Sequence, residues 1–175
     1  DLLECLQELE PTTRLLVMGR QGEAGGSRQV GSHLENVIRT MHRPILVTTE
    51  QFKAPRSLMF AYDGSATARK GVQMLADSPL FSGLPVVHVV MVGDGVDTAE
   101  QLAWGAQILQ QAGFQVRTAM RSGAVEPALH AYQAEQDIDL LVMGAYGHSR
   151  IRQFFVGSTT SAMLRTTKSA LLLLR

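Results

Sequence analysis

The residues with the clearest capacity for chemistry lie late in the chain, as Gly144-Ala145-Tyr146-Gly147, nine further residues, then Gly157-Ser158. Glycines let backbone N–H groups come close to a ligand, and a helix opening at Gly157-Ser158 would add unpaired N–H groups and partial positive charge, together an anion site. Between the glycines, His148, Arg150 and Arg152 supply cationic or hydrogen-bonding side chains with no carboxylate beside them, which suits a phosphate chain. For the glycines alone, an ordinary strand-to-helix turn with surface arginines is an equal reading, because glycine punctuates loops everywhere. The spacing is neither G-x-G-x-x-G nor G-x-x-x-x-G-K-S/T, and no Lys follows Gly157, so a P-loop NTPase mechanism is not indicated.

Such a loop needs a rigid frame, and the preceding hundred residues read as one. Ser57 to Tyr62 is an apolar run followed by Asp63-Gly64-Ser65, a buried strand with a helix N-cap at Ser65. The helix runs towards Asp77 with Ala68, Val72, Leu75 and Ala76 on one face. A second strand spans Pro85 to Val92. Asp97 and Glu100 have capping-box spacing ahead of a helix carrying Ala99, Leu102, Ala103, Ala106 and Leu109, with Gly113 as its stop. Phe114 to Met120 is a third strand, Pro127 fits the first turn of a third helix, and Asp139 to Met143 is a fourth strand. Ser158 to Thr167 and Ala170 to Leu174 complete the order as helix and strand. Strands apolar on both faces, alternating with helices, predict an α/β fold, a doubly wound five-stranded parallel sheet of Rossmann-like kind, with ligands bound beyond the carboxyl ends of its strands.

The first fifty residues repeat the last fifty. Leu15-Leu16-Val17-Met18-Gly19 returns as Leu140-Leu141-Val142-Met143-Gly144, Val30-Gly31-Ser32 as Val156-Gly157-Ser158, and Arg39-Thr40 as Arg165-Thr166. Residues 1–50 thus read as the C-terminal half of a first domain, 51–55 as a linker and 56–175 as a complete second domain. Nothing in the first copy matches 56–125, so its two strands and two helices need cover from residues ahead of Asp1 or from a second chain. Its loop keeps Gly19, Gly22, Gly31 and Ser32 but is one residue shorter and carries Glu23 where His148 stands, which disfavours phosphate. This half is expected to be structural.

Sixteen Lys and Arg against 16 Asp and Glu, at 45% apolar content, describe an ordinary globular chain and argue against nucleic acid as a partner. No apolar run approaches the roughly 20 residues that span a bilayer, no basic-then-apolar leader opens the chain, and a single cysteine fits a reducing compartment. A cytoplasmic location is expected. The five histidines lack metal-ligand spacing, so no metal site is expected. Cys5 reads as a buried thiol rather than a nucleophile, and Trp104 as a packing residue.

A G-x-x-G-(nine residues)-G-S/T segment after a strand, with another strand ending in Asp63 far upstream, resembles the universal stress protein family across 56–175. The resemblance implies an adenine nucleotide alpha hydrolase-like fold holding ATP or AMP, with or without Mg2+ on the phosphates. It gives Gly144 and Gly147 to the ribose and phosphate path, and Gly157, Ser158 and Thr159 to the phosphates. Asp63 would contact the nucleoside and the backbone of Val89, following His88, the adenine edge. Taken alone, Asp63 is a turn residue and Val89 a core residue. In the family the last strand pairs antiparallel with its counterpart in another domain, which implies pairing of Pro44 to Thr49 with Ala170 to Leu174 within this chain, a pseudo-dimer, or a homodimer through the same edge. No side chain of the motif is an evident general base, so the expected role is a stress-response regulator with at most slow hydrolysis. The alternative is an interaction scaffold of the same fold without nucleotide. An adenylating or pyrophosphatase-type enzyme ranks last, since no second substrate pocket or catalytic set is recognisable.

Overall fold

A computed structural model describes residues 2–20, 32–51, 53–84, 86–95, 97–145 and 158–175. The first half comprises α1 (Leu2–Leu9), β1 (Leu16–Gly19), α2 (Ser32–Thr40) and β2 (Ile45–Thr48). The remainder runs β3 (Ser57–Ala61), α3 (Ala66–Asp77), β4 (Val86–Val92), α4 (Thr98–Gln111), β5 (Val116–Arg121), α5 (Val125–Gln136), β6 (Leu140–Gly144), α6 (Ser158–Thr166) and β7 (Ala170–Leu174). Every predicted strand and helix is found, with ends moved by a residue or two.

The strands form one seven-stranded sheet in the order β1-β2-β7-β6-β3-β4-β5. All neighbours are parallel except β2 and β7, which pair antiparallel with Ile45 opposite Leu173 and Val47 opposite Leu171. The five parallel strands of the second half are therefore continued, not ended, at β7. The expected pairing of last strands occurs within the chain, and both potential edges are covered.

Helices lie on both faces because the strands are apolar on both. Leu141 and Met143 of β6 point into a core with Leu34, Val37 and Ile38 of α2, Leu129 and Tyr132 of α5, and Met163 and Leu164 of α6. Leu140 and Val142 point the other way, to Phe60 of β3, Val72 and Leu75 of α3, and Leu102 and Leu109 of α4. This two-sided burial is why the sequence of β6 shows no polar alternation. On α4 the buried stripe is Thr98, Leu102, Gly105, Ala106 and Leu109, while Ala99 and Ala103 face solvent.

Some local expectations change. Asp97 occupies the N-cap of α4 but has helical dihedrals (φ −78°, ψ −6°) and its side chain makes no cap hydrogen bond. A cap needs an extended backbone to swing the carboxylate back onto the first turn, and here the Thr98 amide instead donates to Gly95 O at 3.0 Å. Cys5 is exposed, not buried, because α1 buries no residue fully. Gly113 stops α4 as expected with φ +93°, and Pro127 lies in the first turn of α5.

Candidate functional site

The chain leaves β3 for β4 and β5 on one side, while β6 and β7 lie on the other. Strand order thus reverses between β3 and β6, where a parallel α/β sheet opens a crevice beyond its carboxyl ends. The register Ala61 opposite Met143 places the two strand ends side by side. Asp63 and Gly144 therefore come to one rim despite their separation in sequence.

The β3 end is a tight turn. The Asp63 carboxylate accepts a hydrogen bond from the Ser65 amide at 3.0 Å. Gly64 has φ +71°, and a Cβ there would fall 2.0 Å from Oε1 of Gln101 on α4. The left-handed backbone disfavours a side chain, and a Cβ would have to push the Gln101 amide aside. Ser65 is extended (φ −65°, ψ 162°) and accepts from the Ala68 amide through Oγ at 3.1 Å, so the predicted N-cap forms. That cap fixes the first turn of α3 against the rim. Among the described residues, a Cβ on Gly144 would meet Thr67 Cγ2 at 3.6 Å, an ordinary contact.

Beneath the turn, Tyr62 is stacked on Trp104 with ring centroids 6.4 Å apart and planes at 19°. Arg69 covers the opposite end, 5.2 Å from the Trp104 ring centre, and its Nε donates to Gly64 O at 3.3 Å. Burial pushes the Tyr62 hydroxyl up in pKa, partly opposed by the Arg69 charge. On the β6 side, the Ala145 amide donates to Leu174 O at 2.8 Å. Arg175 then bridges from this rim to the end of α2, donating to Met41 O at 3.2 Å, Arg39 O at 3.0 Å and Ala145 O at 3.5 Å. Sequence reasoning missed Thr67, Gln101 and Arg175; the first two sit in the first turns of α3 and α4, while nothing in the sequence marks Arg175.

Of the predicted residues, Asp63 and Gly144 come together at the rim. Ser158 opens α6, and Thr159 and the buried Thr160 follow in its first turn. Gly147 and Gly157, with His148, Arg150 and Arg152, lie outside the described residues. Val89 lies three residues before the end of β4. It sits inside β4, paired with Phe60 and Thr118 and fully buried, and Met91 and Val92 carry the strand on to its carboxyl end.

A cavity of about 930 Å³ lies elsewhere, at the opposite edge of β6 and β7, lined by Arg20, Thr48, Lys53, His130, Asp139 and Lys168 among others. Asp139 forms ion pairs with Lys53 and Arg56 across it. Burial would raise this carboxyl pKa, but the hydrogen bonds from Lys53 and from the Arg56 amide, with the charges of both residues, hold it below its usual value. Mixed charge makes this a poor place for a phosphate chain, and the paired ions tie the 51–55 linker to the start of β6. Among the described residues no cluster of three or more His, Cys, Asp or Glu could hold a metal ion, and no helix is long and apolar enough to cross a membrane.

The parallel sheet wound in both directions from β3 and β6 defines the class of doubly wound α/β domains. More narrowly, residues 55–175 match the model of the universal stress protein family, and the chain belongs to that family. It is 39% identical over 179 residues to the universal stress protein Slr1230 of Synechocystis sp., a match covering 99% of this chain and 62% of the relative. A universal stress protein from Archaeoglobus fulgidus superposes with a TM-score of 0.76 at 19% identity, covering 100% of this chain and 65% of that one. Another universal stress protein, solved in complex with cAMP, gives a TM-score of 0.58 at 21% identity over 70% of this chain and 98% of that one. At such identities the structural likeness establishes fold alone. The chain spans under two thirds of the length of the first two relatives.

Proposed function

We propose that residues 56–175 bind an adenine nucleotide, ATP or AMP, in the crevice between the carboxyl ends of β3 and β6, and that occupancy regulates partner choice in a stress response. The observation that carries this reading is the meeting of Asp63 and Gly144 at the point where strand order reverses. Gly144 lends support, since among the described residues a Cβ there would meet no more than an ordinary contact and a bare backbone suits close approach by a ligand. So does the structural neighbour crystallised with cAMP. In this reading Asp63 contacts the nucleoside, Gly144 and Gly147 line the ribose and phosphate path, and the backbone of Val89 reads the adenine edge. Gly157, Ser158 and Thr159 hold the phosphates at the start of α6, where Mg2+ on the phosphates would also sit. Hydrolysis is slow at most, and the protein works in the cytoplasm.

The test is acid extraction of purified protein to identify released nucleotide, then titration of ATP, AMP and cAMP into stripped protein. Trp104 is the single tryptophan, and its stack on Tyr62, next to Asp63, makes its emission a reporter alongside equilibrium dialysis. Near one equivalent bound per chain, lost in Gly157→Glu, supports the reading. No binding by stripped wild type refutes it and leaves a scaffold of the same fold.

A further inference from the structure

Two arginines reach across the antiparallel seam, each onto the last carbonyls of a helix in the other half of the chain. Arg20, one residue past β1, donates through Nη1 to Thr167 O and through Nη2 to Ser169 O, the latter at 2.9 Å. These carbonyls close the last turn of α6, where the Thr167 amide donates back to Met163 O at 2.9 Å. Arg175, one residue past β7, donates to Arg39 O and Met41 O at the end of α2, where the Met41 amide donates back to Val37 O, also at 2.9 Å. The helix ends correspond in the internal repeat, Val37 to Met163 and Met41 to Thr167, but the arginines do not: the counterpart of Arg20 is Ala145 and that of Arg175 is Thr49. Each clamp is thus a separate feature of the sequence, not a product of the repeat.

The seam explains the reach of Arg20. Because β2 and β7 are antiparallel, the carboxyl ends of β1 and β2 lie beside the amino end of β7, where α6 finishes. Arg20 is half-buried, its Nε is shielded from solvent without a partner, and burial pushes its pKa down. A guanidinium keeps its charge at any ordinary pH, so this one is held partly dehydrated over carbonyls rather than over a carboxylate. Thr167 is 0% exposed, and its carbonyl has Arg20 where water would otherwise serve. A helix carries partial negative charge at this end, which a cation stabilises. Since β6 and β7 are parallel, the other end of α6 begins at the carboxyl edge of the sheet, the edge of the crevice. With nine residues, the helix separates Arg20 from that edge by roughly 13 Å.

We propose that Arg20 is a positioning residue for the nucleotide site, holding α6 from behind so that the Ser158 and Thr159 amides stay fixed for the phosphates. The inference rests on the reading above that α6 receives the phosphates. It gives the first half of the chain, whose own glycine loop is a residue short, a part in the site of the second. Losing the clamp frees the end of α6 and removes a positive charge behind the helix. Both changes weaken the hold on phosphates and leave contacts to base and ribose as they are.

The test is equilibrium dialysis of ATP and of adenosine with the stripped 175-residue chain as wild type, Arg20→Gln, Arg20→Lys and Asp139→Asn. Arg20→Gln should weaken ATP by at least about tenfold, the worth of one hydrogen bond to a charged group, with adenosine unchanged. Arg20→Lys, which keeps the charge, should recover part of that loss. Asp139→Asn breaks the nearby ion pairs with Lys53 and Arg56 without touching α6 and should alter neither affinity. Amide exchange over 163–167 should quicken in Arg20→Gln. A merely structural arginine would weaken ATP and adenosine alike; that result overturns the proposal, as does ATP binding unchanged in Arg20→Gln. A wild type that binds no nucleotide, or ATP no better than adenosine, overturns the reading of α6 as the phosphate helix and the proposal with it.

Discussion

Gly71 offers a sharp test of how α3 is seated on the sheet. It lies in the middle of α3, where alanine is ordinarily better by about 0.8–1 kcal/mol. A Cβ at this position, however, would fall 2.2 Å from Leu174 Cδ1 and 2.9 Å from Phe60 Cζ. Both neighbours are buried, Phe60 at 0% and Leu174 at 3% exposure, and cannot swing into solvent. Overpacking of this kind costs about 1–3 kcal/mol, so after the propensity gain Gly71→Ala should be a net loss of up to about 2 kcal/mol. Leu174→Ala alone removes a packed side chain at a cost of about 2–4 kcal/mol. In the double variant the new methyl enters the space Leu174 vacates, so its loss should fall short of the sum by at least about 1 kcal/mol. Urea unfolding of the four proteins completes the cycle. A Gly71→Ala variant more stable than wild type, or strict additivity, would show that α3 does not press on the end of β7 as described.

Other expectations follow from the rim and the core. Gly64→Ala should cost about 1–2 kcal/mol in left-handed strain and displace Gln101, read as a lowered midpoint in urea and altered Trp104 emission. Ser65→Ala should cost about 1 kcal/mol through loss of the α3 cap, with Ser65→Asp near neutral in the same assay. The Asp139 carboxyl titrates below its ordinary value, so its contribution is complete above about pH 4 and fades as pH falls through the folded-state value. Asp139→Asn should therefore cost about 1–2 kcal/mol at pH 7 and progressively less towards pH 3; a pH-independent deficit would contradict the ion-pair account. His88 is held below its ordinary pKa by burial and then by Arg117. Stability it supplies is present above about pH 6.5 and declines on acidification as the unfolded state takes up the proton. His88→Gln should flatten the loss between pH 7 and 5 in equilibrium unfolding.

The elements were legible because each carries its own local chemistry. Ser65 announces α3 by capping it, Gly113 ends α4 by taking positive φ, and Leu140 to Met143 are apolar without alternation because both their faces are covered. The junction of β2 with β7 was inferred from the repeat and from family resemblance, since no local signal in Ile45 to Thr48 distinguishes an antiparallel neighbour from a parallel one. The misreadings are of another kind. Asp97 has the residue type and spacing of a cap, but a turn from Gly95 to Thr98 sets its backbone helical. Cys5 is apolar but lies off the Leu3–Leu6 face by which α1 packs on the core. Arg175 and Gln101 reach the site through tertiary contacts that no periodicity encodes.

The antiparallel seam also dictates an order of events during synthesis. Arg20 of the first half donates to the Thr167 carbonyl, 147 positions later in the chain, and β2 finds its second neighbour only when β7 exists. At about 5–20 residues per second, the ribosome leaves the edge of β2 unpaired for roughly 6–25 s after making it. Through that interval Ile45, Leu46 and Val47 are an apolar strand with a vacant side. The nascent chain is then most open to chaperones, and to pairing with its neighbours on the same message.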